Sequence, residues 1–201
     1  MKIGIIGAGN IGGTLGCKWA AAGHTIQFGV RSPEDSKFDP LRAFGKVSQV
    51  GQAAPFGEVV LLALPGPAAA DFVIQHAQAL AGKVVIDATN NVRGAEMNVL
   101  GLLGKAAPSA LPVRAFSTLG WENFADPQIG GEQIDLFFCG SPSARLAVEQ
   151  LIAEVGLRPI YIGDVDATAA LDGMTRLWFA LVFNQGYGRR TTFKLLTEEG
   201  A

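Results

Sequence analysis

The chain has 201 residues and a net charge of −2, with 49% hydrophobic and only 17% charged residues. This composition excludes a disordered chain and a long coiled coil, because both are richer in charged residues. The 16 basic residues are scattered, so we expect no nucleic-acid partner and no binding to an anionic membrane. The sequence therefore predicts one domain with a large core, a short extension and a small-molecule ligand.

The cysteines and the apolar runs predict the compartment. Cys17 and Cys139 lie far apart in apolar surroundings and outside any CxxC or Cys/His spacing, which indicates free thiols in a reducing compartment. The longest apolar run, around residues 59–70, is interrupted by prolines and is too short to span a bilayer. The N-terminus has glycines where a signal peptide needs a continuous apolar region. We therefore expect a cytoplasmic protein with no membrane partner.

Short β-branched runs alternate with helical periodicity, a pattern typical of a doubly wound α/β fold with a mainly parallel sheet. The predicted strands are Lys2–Ile6, Thr25–Gly29, Lys46–Val50, Val59–Leu64, Lys83–Asp87, Val113–Phe116, Asp135–Cys139 and Pro159–Ile162. Their apolar centres indicate burial on both faces. We expect a Rossmann-type domain over residues 1–163 and a small C-terminal helical extension over residues 164–201.

Two of the predicted helices have clear ends. The first runs from Asn10 to Ala22, with Gly23 as the glycine just past its end. The second begins at Ser141-Pro142, a capping residue followed by a proline at the first helical position, and it stops at Gly156.

A third helix is predicted in the extension, from Ala167 to about Phe183. One of its faces is an apolar stripe of Leu171, Met174, Trp178 and Leu181. Because the earlier elements already form a complete sheet, the stripe is either an interface with a second copy of the chain or a face that packs back on its own domain. Periodicity alone does not favour the interface.

The GxGxxG motif of Gly7, Gly9 and Gly12 lies between the first predicted strand and the first predicted helix. In this context Gly7 allows the tight turn, Gly9 lets the backbone approach a pyrophosphate, and Gly12 lets the helix pack on the strand. The phosphates would lie at the helix N-terminus, where Asn10 and Ile11 offer backbone amides. The motif predicts a dinucleotide site, and the alternative is a glycine-rich turn without a ligand.

The end of the second strand selects the dinucleotide. An NAD site has an acid there that binds the ribose 2′-hydroxyl, and this stretch has none before Arg31-Ser32. Arg31 can fork onto a 2′-phosphate and Ser32 can add a hydroxyl, so NADP(H) is favoured. Two alternatives remain: Arg31 is a solvated turn residue, or Glu34 or Asp35 takes the place of the missing acid.

Later strand ends should border the nicotinamide, because ligands of parallel sheets bind outside the carboxyl ends of the strands. Leu64-Pro65 ends the fourth strand, and Asn90 follows the fifth, where it can bind the cofactor or else cap an Asx turn. Ser117 and Trp121 follow the sixth strand. Ser117 could contact an acceptor there and Trp121 could form a wall of its site. The alternative for Trp121 is packing in the core, which is the commoner role of an aromatic residue. No metal-ligand or catalytic-nucleophile spacing occurs, and hydride transfer needs neither.

The chain resembles the coenzyme F-420-dependent NADP oxidoreductases and the cytosolic reductase domain of the STEAP metalloreductases. The matching segments, in the order of that family, are residues 7–12, 29–32, 62–65, 85–90, 113–118, 138–140 and 174–181. The resemblance implies an NADP-binding Rossmann sheet, a shallow cleft beside the extension, and hydride exchange between NADPH and a flat deazaflavin or flavin. It also favours a homodimer formed through the C-terminal helix.

Motif and resemblance together assign the site residues. The cofactor-binding candidates are Gly7, Ala8, Gly9, Asn10, Ile11, Gly12, Val30, Arg31, Ser32, Leu64, Pro65, Asn90 and Gly120. The acceptor-site candidates are Ser117, Thr118, Leu119 and Trp121. Val30 replaces a Ser or Thr of many relatives, and Ser117 replaces an Asn or His, so the acceptor stays open.

We expect an NADPH-dependent oxidoreductase that exchanges hydride with coenzyme F-420 or a flavin-like acceptor. The alternatives are a flavin, quinone or ferric-chelate reductase, and an NADP(H)-binding redox sensor without turnover. Without a membrane segment no haem relay is implied. A hydroxyacid dehydrogenase or imine reductase would need roughly another hundred residues for its second domain.

Overall fold

Ten strands are present in the computed structural model, which describes residues 1–198. They are β1 (Lys2–Ile6), β2 (Thr25–Val30), β3 (Gly45–Gln49), β4 (Val59–Leu62), β5 (Val84–Asp87), β6 (Leu111–Arg114), β7 (Gln128–Ile129), β8 (Glu132–Gln133), β9 (Asp135–Gly140) and β10 (Arg158–Tyr161). β7 and β8 form a separate antiparallel pair, and the other strands share one sheet.

The main sheet has the order β10-β9-β6-β5-β4-β1-β2-β3. Strands β1 to β6 are parallel, whereas β9 pairs antiparallel with β6 and parallel with β10. The predicted Rossmann-type, mainly parallel sheet is therefore confirmed. Because β1, β4, β5 and β6 are parallel neighbours, their carboxyl ends meet at one edge of the sheet.

Seven helices connect or cover the strands. They are α1 (Asn10–Ala21), α2 (Val50–Phe56), α3 (Gly66–Leu80), α4 (Leu100–Ala106), α5 (Glu122–Ala125), α6 (Arg145–Val155) and α7 (Thr168–Phe179), the last continued by a π-helical turn over Ala180–Asn184. No helix among residues 1–198 is both long enough and apolar enough to cross a bilayer.

The predicted helix ends are close to those observed. Gly23 and Gly156 have φ angles of 92° and 97°, which suit the glycine that ends a helix. Ser141 precedes a short 3-10 turn, Pro142–Ala144, before α6 begins, and its hydroxyl makes no capping hydrogen bond. The proline, rather than a serine cap, therefore marks this start.

The sixth strand was predicted two residues too late, at Val113–Phe116 instead of Leu111–Arg114. Phe116 has a φ of 59°, in the left-handed region, so the chain leaves the sheet before it. Its ring is buried and packs edge-on against Trp19 and Phe124, with centroids 5.8 and 5.5 Å apart. Packing of this ring stabilises a backbone conformation that is uncommon for an aromatic residue.

Two residues of the apolar stripe predicted on the third helix are covered within the chain. Leu171 and Trp178 are buried within their own chain, Leu171 against Phe137 and Cys139 of β9. The Trp178 indole donates a hydrogen bond to the carbonyl of Thr191 at 2.8 Å. Because β9 presents an apolar face that needs a cover, the stripe packs back on its own domain, as in the second alternative.

The core on the α1 side of the sheet depends on Trp19. Its side chain is fully buried, and its indole donates a hydrogen bond to the carbonyl of Leu151 in α6 at 2.9 Å. It thereby joins the first and sixth helices, which pack against each other on the same face of the sheet.

Replacing Trp19 by Ala should lower the free energy of unfolding by about 3–5 kcal/mol, because it leaves a large cavity and an unmade hydrogen bond. Urea unfolding measures the change. The control is Leu146→Ala on α6, where the side chain is 79% exposed, and a change within about 0.5 kcal/mol is expected. Similar losses in both variants would contradict this account of the core.

Candidate functional site

A cleft of about 310 Å³ lies at the edge where the carboxyl ends of β1, β4 and β5 meet. It is lined by Gly9, Asn10, Ile11, Ala63, Leu64, Ala88, Asn90, Trp121 and Arg189. The strand ends thus bring together residues from distant parts of the sequence, most of them predicted. A larger open cavity of about 710 Å³ is lined by residues of α4 and α7 and includes none of the glycine motif.

The protein's own packing requires glycine at two of the three motif positions but not at the third. Gly7 has a φ of 96°, and a Cβ there would collide with the carbonyl oxygen of Ala63. A Cβ on Gly12 would collide with the carbonyl oxygen of Gly7. On Gly9 a Cβ would meet nothing within 4 Å, and its φ of −78° suits any residue. Protein packing therefore requires Gly7 and Gly12, while the space at Gly9 is left for a ligand.

The N-terminus of α1 faces this space without a competing anion. Gly9 is the N-cap residue and offers no side chain to the first amides, and the first turn contains no acidic residue. The open amides and the positive end of the helix dipole suit a pyrophosphate. The residues present therefore fit the phosphates of a dinucleotide.

The end of β2 presents the predicted basic group. Arg31 and Ser32 are exposed, whereas Val30 is buried and turns its side chain into the core. Asp35 caps the following 3-10 helix: its carboxylate accepts a hydrogen bond from the Lys37 amide at 3.0 Å and pairs with Lys37 Nζ at 2.7 Å. These bonds to Lys37 hold the pKa of Asp35 below its usual range. Asp35 is thus engaged with Lys37, next to the exposed Arg31 and Ser32.

Asn90 is held from both ends rather than capping an Asx turn. Its Nδ2 donates to the carbonyl of Ser117 at 2.8 Å, and its Oδ1 accepts from Nη2 of Arg114 at 2.8 Å. One amide hydrogen and one oxygen lone pair remain for a ligand in the cleft. The orientation of this amide is therefore fixed by the protein.

Arg114, which the sequence analysis treated only as part of a strand, orders this edge of the cleft. Its guanidinium is fully buried and donates to Asp172 Oδ1 at 3.0 Å and to the carbonyls of Thr89 and Asp87 at 2.5 and 3.2 Å. The Asp87 carboxylate lies 3.7 Å away. A cation in the middle of an apolar strand run is the sequence signal that points to such a buried network.

Most of the acceptor candidates do not reach the cleft. Leu119 belongs to the apolar core, and Ser117 and Thr118 are 1% exposed. The hydroxyl oxygens of Ser117 and Thr118 have no hydrogen-bond partner among residues 1–198. Trp121 alone of the four candidates lines the cleft. The left-handed turn at Phe116 turns the chain inward after β6, which explains the burial.

Arg189 is a cleft residue that the sequence analysis missed. It comes from the C-terminal extension, and its Nε donates to Oε1 of Glu122 at 2.6 Å. Burial works to raise the pKa of Glu122, but the hydrogen bond from Arg189 and the charges of Arg189 and Arg190 hold it below its usual range. The contact is long-range in sequence, so no local pattern signals it.

The cleft lining is otherwise without charge. Among its described residues there is no Asp, Glu, His, Lys, Cys or Tyr, and Arg189 is the sole ionisable side chain. An arginine stays protonated at neutral pH and so does not act as a general acid or base. The arrangement can therefore bind and orient a ligand, but it supplies no side chain for acid–base catalysis.

Gly9→Ala should leave the free energy of unfolding within about 1 kcal/mol of the original value, since a Cβ fits there without a clash. It should weaken binding of a nicotinamide dinucleotide by about tenfold or more, because the Cβ would occupy the space expected for the pyrophosphate. Gly12→Ala is the matched control: it should lower the unfolding free energy by about 1–3 kcal/mol or more. Fluorescence titration and thermal unfolding measure both quantities. An unchanged dinucleotide affinity in Gly9→Ala would contradict the assignment of the phosphates to the N-terminus of α1.

Comparison with known proteins identifies a matching family and several similar structures. Residues 2–91, which include the glycine motif, Arg31 and Asn90, match the family described as NADP oxidoreductase coenzyme F420-dependent. A protein from Arthrobacter sp. FB24, provisionally named an F-420-dependent NADP reductase, is 22% identical, with a TM-score of 0.83 over 98% of this chain and 100% of that one.

Two further solved structures are similar. A hypothetical protein from Sinorhizobium meliloti is 30% identical over 84% of this chain and 87% of its own length, with a TM-score of 0.68. An imine reductase from Streptomyces aurantiacus is 19% identical over 91% of this chain, with a TM-score of 0.70, and the chain spans 62% of its length. The fold is thus shared with longer reductases, and the resemblance seen in the sequence is confirmed. Through residues 2–91, its dinucleotide-binding half, the chain matches the family of coenzyme F-420-dependent NADP oxidoreductases.

Proposed function

We propose that the protein uses NADP(H) and exchanges hydride with a flat deazaflavin such as coenzyme F-420, or with a flavin-like acceptor. The observation that carries the proposal is the cleft itself, which joins a phosphate-binding glycine motif to an uncharged edge beside Trp121 and Asn90. Bound nicotinamide would supply the hydride chemistry, and the protein supplies position and electrostatics.

Preference for NADP(H) over NAD(H) is supported by the end of β2. Arg31 and Ser32 are exposed there, and Asp35 is engaged with Lys37. An arginine fork binds a phosphate dianion through charge-assisted hydrogen bonds, and Arg31 stands directly after β2, where an NAD site has the acid that binds the ribose 2′-hydroxyl. Glu34, the remaining acid of this turn, is exposed and directly follows Pro33.

A flat, delocalised acceptor is supported by the absence of proton donors from the described lining of the cleft. Reduction of a simple ketone or imine needs a proton delivered to oxygen or nitrogen as the hydride arrives. A deazaflavin or flavin ring delocalises the added charge, so walls suffice to hold it about 3–3.5 Å from the nicotinamide. Trp121 and Leu64 provide such walls, and the fixed amide of Asn90 orients the cofactor.

The homodimer and the cytoplasmic location stay predictions. Since the stripe of Leu171 and Trp178 is buried, any contact between copies through α7 would use its outward side, where Leu177 and Phe183 are exposed.

NADPH should bind at least about tenfold more tightly than NADH, and Arg31→Asp should abolish or invert this preference. The control is Arg145→Asp on α6, which makes the same charge change at an exposed arginine that pairs with Glu149 and lies outside the cleft lining. Dissociation constants from nicotinamide fluorescence test both variants. Equal affinities for NADPH and NADH in the unmodified protein would overturn the NADP(H) assignment.

NADPH oxidation, followed at the nicotinamide absorbance band, should be fastest with the deazaflavin, slower with free flavin and weak with small ketones. The rate should change little between pH 6 and 8, because no described lining residue titrates there. Trp121→Ala should slow the reaction, and Trp121→Phe, which keeps a flat wall, should restore most of it. A protein that binds NADPH, oxidises it with none of these acceptors and is indifferent to Trp121→Ala would instead be a redox sensor.

A further inference from the structure

The C-terminal extension places a positive charge at the dinucleotide cleft. Arg189 lines the same cleft as Gly9, Asn10 and Ile11, and its side chain is 43% exposed. Its guanidinium carbon lies 5.7 Å from the centre of the Trp178 ring and 5.9 Å from that of Phe183. Aromatic faces on this side restrict the rotamers that the guanidinium can adopt.

Arg189 and the two residues that follow it are held by hydrogen bonds. Its own carbonyl accepts a hydrogen bond from Nδ2 of Asn123 at 2.9 Å. The next residue, Arg190, donates to Asp126 Oδ2 at 2.7 Å and to the carbonyl of Gln128 at 2.5 Å. The indole of Trp178 binds the carbonyl of Thr191. Since three consecutive residues are held, the guanidinium starts from a fixed backbone and loses less entropy when it binds a ligand.

The guanidinium retains unused hydrogen-bonding capacity. Among residues 1–198 only its Nε is engaged, with Glu122, and neither terminal nitrogen has a partner. Two parallel N–H groups of an arginine match two oxygens of a phosphate or carboxylate. The free side of Arg189 is therefore suited to an anion in the cleft.

The neighbouring residues identify the anion. The cleft also contains the N-terminus of α1, whose first turn has no acid and whose amides favour a phosphate. We infer that Arg189 binds the pyrophosphate of the dinucleotide together with the glycine motif, so that the C-terminal extension is part of the cofactor site. This inference rests on the proposed dinucleotide function.

Two fragments of the cofactor test the inference by binding alone. Adenosine 2′-phosphate carries the group proposed for Arg31 but lacks the pyrophosphate, whereas 2′-phospho-ADP-ribose carries both groups and lacks nicotinamide. Arg189→Gln should weaken the binding of 2′-phospho-ADP-ribose by about tenfold and leave the affinity for adenosine 2′-phosphate unchanged. Calorimetry measures both affinities. Arg189→Lys keeps the charge but loses the forked pair of N–H groups. Its affinity for 2′-phospho-ADP-ribose should lie between that of the unmodified protein and that of Arg189→Gln.

The matched control is Arg145→Gln, because Arg145 also pairs through Nε with a glutamate, at 2.7 Å, and also lies over an aromatic ring, Tyr161, at 4.6 Å. It should change neither affinity. Glu122→Gln removes the partner of Arg189 without removing the guanidinium, and 2′-phospho-ADP-ribose should bind it at least as tightly as the unmodified protein. A loss in Glu122→Gln equal to that in Arg189→Gln would mean that the pair only supports the fold, and would overturn the inference.

Other outcomes separate this inference from the proposed function. Failure of the unmodified protein to bind 2′-phospho-ADP-ribose would remove the dinucleotide function itself. Normal binding by the unmodified protein with an unchanged dissociation constant in Arg189→Gln would overturn only the role of Arg189. If Arg189→Gln binds NADPH with unchanged affinity but has a raised KM for the acceptor, the arginine lies at an anionic group of the acceptor. That result would also overturn the inference.

Discussion

The buried guanidinium of Arg114 connects the parts of the molecule that form the candidate site. It joins the end of β6 to Asp87 at the end of β5, to Asn90 at the cleft, and to Asp172 in α7. Asp87 in turn accepts hydrogen bonds from the amides of Thr89 and Val99. Burying a charge costs several kcal/mol unless it is paired, so these groups are stable only in this arrangement. The network therefore fixes the position of Asn90 and, together with the packing of Leu171 on β9, holds the C-terminal helix against the sheet.

This network has its charges inside the protein and leaves the described cleft lining nearly uncharged. The end at the glycine motif has helix amides and Arg189, and the other end has Leu64, Trp121 and the fixed amide of Asn90. Such a division suits a cofactor whose phosphates need charge and whose reactive ring needs only position. The same division explains why the deazaflavin or flavin proposal is preferred to carbonyl reduction.

Much of the fold follows from the sequence, because its signals are local. Apolar runs such as Val59–Leu62 determine strands. The positive φ of Gly7 and the close approach of Gly12 to the Gly7 carbonyl determine the turn before α1, and both act within a few residues. The acceptor edge did not follow, since the left-handed Phe116 buries Ser117 and Thr118 instead of presenting them. Arg189 could not be predicted either, because its contact with Glu122 spans 67 residues of sequence.

The claim on which the account depends is that a dinucleotide occupies the cleft at the glycine motif. A crystal structure with bound NADP tests it most directly. The account predicts pyrophosphate oxygens on the amides of Asn10 and Ile11, the 2′-phosphate at Arg31, and open space beside the nicotinamide C4 large enough for a flat ring. A dinucleotide bound instead in the larger cavity between α4 and α7, or a nicotinamide face closed by protein atoms, would contradict it.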